Sequence, residues 1–399
     1  MHIPSLRFKE FEDEWIFTTL GNCCKSISYG LNAAAKPFDG ENQYIRITDI
    51  DDESRKYIKN NRVSPDGELT DEYLLKENDI VFARTGASTG KSYIYKKEDG
   101  KLYFAGFLIR ARIEEKHNAK FIYYQTMTQS YNNWVKVMSM RSGQPGINSK
   151  EYASYHFYLP SLEEQVKISS FLEKFDSKIQ LQQEKINLLK EQKKGYMQKL
   201  FSKKLRFKDE NGADFPEWKT NIKADELFES VSNKNHNGDF PVLSATQDNG
   251  MVLRDTLERH MAFSNENLKS YKLVETNDFI ISLRSFQGGI EISNLQGLVS
   301  PAYTVFRKKG KKIYEPYFAK FFKTDSFIQR LNTTTYGIRD GKAISYKDFA
   351  TLKFNIPTLE EQRKIAEFLN LLDNKIQNEQ EKLYLLQKQK QAFMQQMLI

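Results

Sequence analysis

The chain is expected to be an α+β protein, with two pseudo-symmetric globular α/β regions separated by an antiparallel coiled coil of two long helices. Three observations lead there. Residues 159–201 and 356–398 align without a gap at an offset of 197, with about half the positions identical. Both segments carry apolar residues at heptad spacing and contain no proline after their first turn. The regions before them carry short apolar strands beside glycine-rich loops, as at 79–83 and 93–95. A period this long is no solenoid repeat. It marks two copies of one larger unit.

The first element to justify is the helix that closes each copy. Ser161-Leu162-Glu163-Glu164 and Thr358-Leu359-Glu360-Glu361 read as capping boxes, with Pro160 and Pro357 just outside. Ile168, Leu172, Phe175, Ile179, Ile186 and Leu189 form the expected seam of the first helix. Ile365, Leu369, Leu372, Ile376, Leu383 and Leu386 form that of the second. Two unrelated surface helices are the plainer alternative. Two copies of one amphipathic helix in one chain are better satisfied by packing on each other. Each seam has two polar positions, Gln182 and Lys193, then Glu379 and Lys390. An antiparallel overlap centred between them sets Lys193 against Glu379 and Gln182 against Lys390. Polar seam residues fix register at a cost in stability, although the same side chains can also snorkel to solvent. Leu188 and Leu385 lie off the seam and suggest a second face for a partner protein.

The repeat continues outside the helices. Leu6-Arg7-Phe8 before Trp15 returns as Leu205-Arg206-Phe207 before Trp218. Asn78-Asp79-Ile80 returns as Asn277-Asp278-Phe279, and Lys150-Glu151-Tyr152-Ala153 as Lys347-Asp348-Phe349-Ala350. Between these landmarks the halves diverge.

Composition narrows the class. The 399 residues allow two or three domains, and a hydrophobic content of 39% supports real cores. A formal charge of +8 suits a polyanion partner without requiring one. The two cysteines are the neighbours Cys23 and Cys24, which fit neither an ordinary disulfide nor a zinc site. A reducing cytoplasm is the expected location. The segment Met1–Trp15 lacks the apolar core of a signal peptide, and no apolar run reaches membrane-spanning length.

The variable regions carry polar, glycine-rich loops. Asp79-Ile80-Val81-Phe82-Ala83 reads as a strand that ends at Arg84. The loop Thr85-Gly86-Ala87-Ser88-Thr89-Gly90-Lys91 follows, then a strand at Tyr93-Ile94-Tyr95. It mimics a phosphate-binding P-loop but has Thr where the first Gly is required, and no helix follows. A glycine hairpin presenting Arg84, Thr85, Ser88 and Lys91 to a phosphate or base edge fits better; a plain structural turn is the alternative. The second half has Arg284, Ser285 and Gln287 at the corresponding place. Arginine with guanine and glutamine with adenine are standard major-groove pairings. A second loop precedes each helix: Arg141, Ser142 and Gln144 in one half, Tyr336, Arg339 and Lys342 in the other. Similar loops with different side chains are expected if one scaffold reads two sequences, and ordinary surface loops are the rival explanation.

Catalysis finds little support. The five histidines are scattered. There is no Gly-x-Ser-x-Gly elbow and no Pro-Pro pair for an amino-methyltransferase motif. Pro65-Asp66 and Glu114-Glu115-Lys116 stand too far apart for a nuclease set.

Taken together, the doubled Pro-(Ser/Thr)-Leu-Glu-Glu-Gln helices at 160–165 and 357–362, and the Arg-Thr-Gly…Gly-Lys loop at 84–91, resemble the specificity subunit of type I restriction–modification enzymes. The resemblance covers the whole length. It implies target recognition domains at 1–158 and 202–355, with spacer helices at 159–201 and 356–399. It further implies that each recognition domain reads one half of a bipartite, asymmetric site in double-stranded DNA. The helices would set the unread spacer and dock two methyltransferase subunits. S-adenosylmethionine would sit on those subunits, with no cofactor or metal on this chain. Motor-nuclease (restriction) subunits would complete the complex. The chain itself would be non-catalytic. A coiled-coil scaffold without DNA, or a self-contained enzyme, remain the readings from other classes. Salt-sensitive DNA binding and activity of the isolated chain separate them.

Overall fold

A computed structural model of the chain describes residues 3–140, 144–246, 250–257, 265–281, 290–333 and 344–399. It divides into two compact units. One comprises Met1–Glu184 with Glu381–Ile399, and the other Lys185–Gln380.

The first unit contains, in chain order, β1 (Ile16–Thr19), β2 (Cys24–Tyr29), β3 (Ala34–Pro37), β4 (Gln43–Ile45), β5 (Val63–Asp66), β6 (Asp79–Ala83), β7 (Ser92–Ile94), β8 (Leu102–Phe104), β9 (Leu108–Ile113) and β10 (His156–Leu159). Its helices are α1 (Ala119–Gln125), α2 (Gln129–Met138), α3 (Ser149–Ala153) and the start of α4 (Leu162–Phe201). The second unit contains β11 (Lys219–Lys223), β12 (Phe228–Val231), β13 (Leu243–Thr246), β14 (Gly250–Leu253), β15 (Lys272–Val274), β16 (Phe279–Ile281), β17 (Glu291–Ile292), β18 (Gly297–Val299), β19 (Thr304–Lys308) and β20 (Lys353–Ile356). Its helices are α5 (Ala224–Leu227), α6 (Glu315–Phe321), α7 (Asp325–Thr333), α8 (Tyr346–Ala350) and most of α9 (Leu359–Met397).

The two units share one topology. A four-stranded antiparallel sheet has the order β2-β9-β6-β7 in the first and β12-β19-β16-β17 in the second. The strand leading into each unit pairs with the strand leading into its long helix, β1 with β10 and β11 with β20. The Asn-Asp landmark explains itself here. Asn78 and Asn277 adopt left-handed backbone, with φ of 70° and 73°, which asparagine tolerates better than most residues. The following aspartate closes the turn by accepting from the amide three residues back. It also takes a bidentate arginine from the neighbouring strand, Asp79 from Arg112 at 2.8 Å and Asp278 from Arg307 at 2.9 Å. Both carboxylates are buried, so each turn is fixed to its sheet by a charge-assisted fork.

The Leu-Arg-Phe…Trp landmark has an equally definite role. Glu164, in the first turn of α4, is 1% exposed and accepts from Arg7 Nε and Nη2 at 2.8 Å and from Trp15 Nε1 at 3.2 Å. Glu361, in the first turn of α9, is fully buried and accepts from Arg206 and Trp218 in the same way. This corrects the capping-box expectation. The hydroxyls of Ser161 and Thr358 do accept from the N3 amides, but the glutamates are held by arginine and tryptophan in place of the reach-back. The neighbouring Gln165 and Gln362 are also buried. Their side-chain oxygens accept from the amides of Asn118 and Tyr314, and their nitrogens donate to Pro160 O and Pro357 O. The Glu-Glu-Gln run therefore locks a helix start to its own unit.

α4 and α9 run antiparallel where they pair inside each unit. In the first, Phe171 and Phe175 meet Phe393, and Lys390 donates to Asp176 at 2.6 Å. In the second, Tyr196 meets Phe368, Lys185 meets Glu379 at 2.9 Å, and Lys193 donates to Asp373. Ile168, Leu172, Ile186, Leu189, Ile365, Leu369 and Ile376 are buried, and Phe175, Ile179, Leu372, Leu383 and Leu386 are half-buried. The expected seam is therefore the apolar seam of the pair. Its polar register differs. Lys193 meets Asp373 instead of Glu379, and Lys390 meets Asp176, close to one heptad from the positions expected. The aspartates flank the seam, where a lysine stem can lie across apolar neighbours and still reach a carboxylate. Among the described residues no helix is long and apolar enough to cross a membrane.

Candidate nucleic-acid interface

β6 is fully buried along its length, and the chain leaves it at Arg84. The loop to β7 turns through Gly86 (φ +77°) and Gly90 (φ +89°). A Cβ on Gly90 would lie 2.6 Å from the Val135 side chain, so both backbone and space require glycine there. The loop is closed by its own bonds. Gly90 N donates to Ala83 O, Lys91 N to Ser88 O, and the Thr89 hydroxyl to Gly86 O. Beneath it, Tyr152 OH donates to Ala83 O at 2.7 Å and accepts from Gly90 N, while Tyr131 OH donates to Gly90 O.

The second loop singled out in the first half lies against this one. Gly86 N donates to Pro145 O at 3.0 Å, Thr85 bridges to Gly146, and Ile147 N donates to Arg84 O at 2.9 Å. Gln144 is exposed, with its amide nitrogen 3.2 Å from where a Cβ of Gly86 would stand. Arg84, Thr85, Ser88 and Gln144 thus share one tip. Arg141 and Ser142 lie outside the described residues.

Arg84 is half-exposed and held from two sides. Its guanidinium stacks 4.9 Å from the Tyr29 ring centroid, and Nη1 donates to Gly106 O at 3.4 Å. Tyr29 is fixed in turn, because its hydroxyl oxygen accepts from Ser149 Oγ and Ser149 N, both at 3.2 Å. Those bonds, hydroxyl first, together with nearby Arg84, favour the phenolate and lower the Tyr29 pKa below its ordinary value. The turn between β8 and β9 closes the site. Arg84 N donates to Phe107 O at 3.1 Å, and the Phe107 side chain is 64% exposed. Tyr29 and Phe107 had no periodic or motif signal. A phenylalanine directly after Gly106 at a strand start was the only trace.

Lys91 has a different place from the one expected of a contact residue. It is 7% exposed, and Nζ donates to Ile50 O at 2.8 Å and to Asp52 at 2.7 Å. Its charge ties the hairpin to the segment 47–52. In the second unit Arg284, Ser285, Gln287, Tyr336, Arg339 and Lys342 lie outside the described residues. Their frame is described. β16 ends at Ile281, β17 begins at Glu291, and Ile344 O accepts from Thr304 Oγ1 at 2.7 Å. Leu188 and Leu385 are 56% and 57% exposed on their helices, beside seam residues that are covered.

Comparison with known proteins is consistent across the chain. The model of the type I restriction modification DNA specificity domain matches twice, at residues 12–191 and 218–388. The MjaX and MjaVIII type I restriction enzyme specificity subunits of Methanocaldococcus jannaschii are each 25% identical, over 96% of this chain and 93% and 91% of their own lengths. The crystal structure of a type I restriction-modification S subunit from M. genitalium has a TM-score of 0.58 at 18% identity, covering 100% of this chain and 99% of that one. A chain from a study of complex assembly and conformational transition in a type I system has a TM-score of 0.56 at 17% identity, covering 97% of this chain and 98% of that one. The two structures share the fold, and the doubled family match assigns the two units: the chain belongs to the type I restriction–modification specificity family, whose members are DNA-recognition subunits.

Proposed function

We propose that each unit reads one half of a bipartite, asymmetric DNA site. The paired long helices set the unread spacer and dock two methyltransferase subunits, which carry S-adenosylmethionine, and motor-nuclease subunits complete the restriction complex in the cytoplasm. This chain directs that chemistry without performing it. One observation carries the reading. Two loops 50 residues apart in sequence meet around Arg84, whose guanidinium is braced by a ring and a carbonyl and keeps donors for a base edge or phosphate. The same sheet recurs in the second unit, and the sequence has different residues in the corresponding segments. A constant frame with changed tips suits two different half-sites.

The test is Arg84→Ala in the complex reconstituted with its methyltransferase. If Arg84 pairs with a base, specific binding falls by about 1–3 kcal/mol and the methylated motif relaxes at one position of one half-site. If Arg84 holds a phosphate, affinity falls uniformly and the salt dependence becomes shallower. Wild-type motif and efficiency in the mutant would sink the reading.

A further inference from the structure

The Phe107 side chain is largely exposed. The main chain of its turn, in contrast, is held by hydrogen bonds at Phe107 and at the residues flanking it. Arg84 N donates to Phe107 O, Leu108 N donates to Ala105 O at 2.8 Å, and Gly106 N donates to Leu31 O at 2.8 Å. A Cβ on Gly106 would stand 3.3 Å from that same Leu31 O, so the turn is tightly packed. A large apolar ring, 64% exposed, is therefore presented on a rigid turn beside a braced arginine. Rigid presentation is what a contact group needs, because little freedom remains to be lost on binding.

The second unit shows which part of this is frame. Arg112 and Arg307 occupy the same place, each forked onto the aspartate of the Asn-Asp turn. Counting back along β9 and β19 from them, Phe107 corresponds to Ala302. The partner strands give the other position. Ser28 pairs with Arg110 and Val231 with Val305, so Tyr29 corresponds to Ser232. Ala302 and Ser232 are exposed as well. At two equivalent tip positions the first unit carries aromatic rings and the second carries small side chains, while the strands beneath keep their pairing.

Phenylalanine has no donor or acceptor, so it cannot read the hydrogen-bonding pattern of a base edge. The one apolar group displayed in the major groove is the 5-methyl of thymine, and a two-stranded ribbon fits that groove. We propose that Phe107 reads a thymine methyl in the half-site of the first unit, next to the base or phosphate held by Arg84. This rests on the reading of the Arg84 tip as a DNA contact.

The experiment uses the complex with its methyltransferase subunits and duplexes carrying its site. Each thymine of the first half-site is replaced in turn by deoxyuridine, which removes only the methyl. Burial of one methyl predicts an approximately four-fold loss of wild-type affinity at one position. Phe107→Ala should bind thymine and uracil duplexes equally there, and Phe107→Leu should keep part of the difference. Because the ring is exposed, neither variant should perturb folding, which thermal melting checks. A variant as sensitive to uracil as wild type would overturn the proposal. So would a wild type indifferent at every thymine, or a first half-site containing none. Equal losses by Phe107→Ala on thymine and uracil duplexes, with loss of 2-aminopurine fluorescence at one step, would make the ring a wedge between bases and also overturn it. Arg84→Ala in the same assay separates the two levels. If it binds normally, the underlying reading fails; if it is defective while Phe107→Ala is normal, only this inference fails.

Discussion

Glu361→Ala should destabilise the second unit far more than the identical change one residue earlier. Glu361 is fully buried and accepts three hydrogen bonds, from Arg206 Nε and Nη2 at 3.0 Å and Trp218 Nε1 at 3.1 Å. Removing one partner of a buried pair costs about 3–5 kcal/mol, because the other charge is left desolvated. Here the low end applies. Arg206 keeps Phe215 O at 3.0 Å, Pro216 O at 2.7 Å and the exposed Glu217, so its charge is not stranded. For a unit of this size about 3 kcal/mol corresponds to a fall of roughly 6–12 °C in melting temperature. Glu360 is exposed, and Glu360→Ala should lie within about 0.5 kcal/mol of wild type. Trp218 is the only tryptophan of the second unit. In a Trp15→Phe/Trp134→Phe background its fluorescence therefore follows that unit alone during urea or thermal unfolding. Equal stability of the two glutamate variants would mean that the clamp does not anchor α9, and the reasoning would be wrong.

Three further outcomes are expected. Leu188→Lys with Leu385→Lys, at two exposed off-seam positions, should abolish copurification with the methyltransferase subunit while circular dichroism stays unchanged; an intact complex would place docking elsewhere. The Asp373 carboxyl should give the helix pair an acid-sensitive contact. Burial opposes its ionisation, but the hydrogen bonds from Lys193 and Lys320 outweigh that and hold its pKa below 3.8. A folded pKa below the unfolded one stabilises at higher pH, so the melting-temperature gap between wild type and Asp373→Asn should hold above about pH 5 and shrink as pH falls through the unfolded and then the folded value; a gap that widens on acidification would reverse the assignment. Finally, one heptad inserted after Glu184 and another after Gln380, where each helix passes from one unit to the other, adds about 10 Å of helix while keeping the seam in phase. The methylated motif should gain about three unread base pairs between unchanged half-sites, and an active mutant with the original gap would refute the spacer role.

The long helices were legible because their signal is local and repeated. Seven-residue spacing sustained through Ile168, Leu172, Phe175 and Ile179, and again through Ile365, Leu369, Leu372 and Ile376, needs no knowledge of any other element. The landmarks outside them were visible as repeats but silent about role. Nothing in Arg7, Trp15 and Glu164 as letters says that they meet, since the two hydrogen-bond donors and their acceptor are about 150 residues apart. Register is less legible for a related reason. Lys193 and Lys390 stand out as polar seam residues, yet the aspartates that receive them lie just off the seam, where heptad counting does not look.

The loops mark the boundary of what a single sequence can tell. Arg84 and Lys91 end the same hairpin and have the same charge. One keeps its guanidinium at the surface on Tyr29, while the other is turned inward to Ile50 and Asp52. The difference accompanies the left-handed turns at Gly86 and Gly90 and the packing of Val135 against Gly90, which composition does not encode. A physical rule nonetheless separates what the two halves keep from what they change. The retained residues, Asp79 with Arg112 and Glu164 with Arg7, have partners inside the fold, so replacing the arginine leaves a buried carboxylate without its cation. The divergent ones, Tyr29 against Ser232 and Phe107 against Ala302, are exposed, so changing them leaves no buried carboxylate without its cation. A fold organised this way can alter what it touches while leaving intact what holds it together.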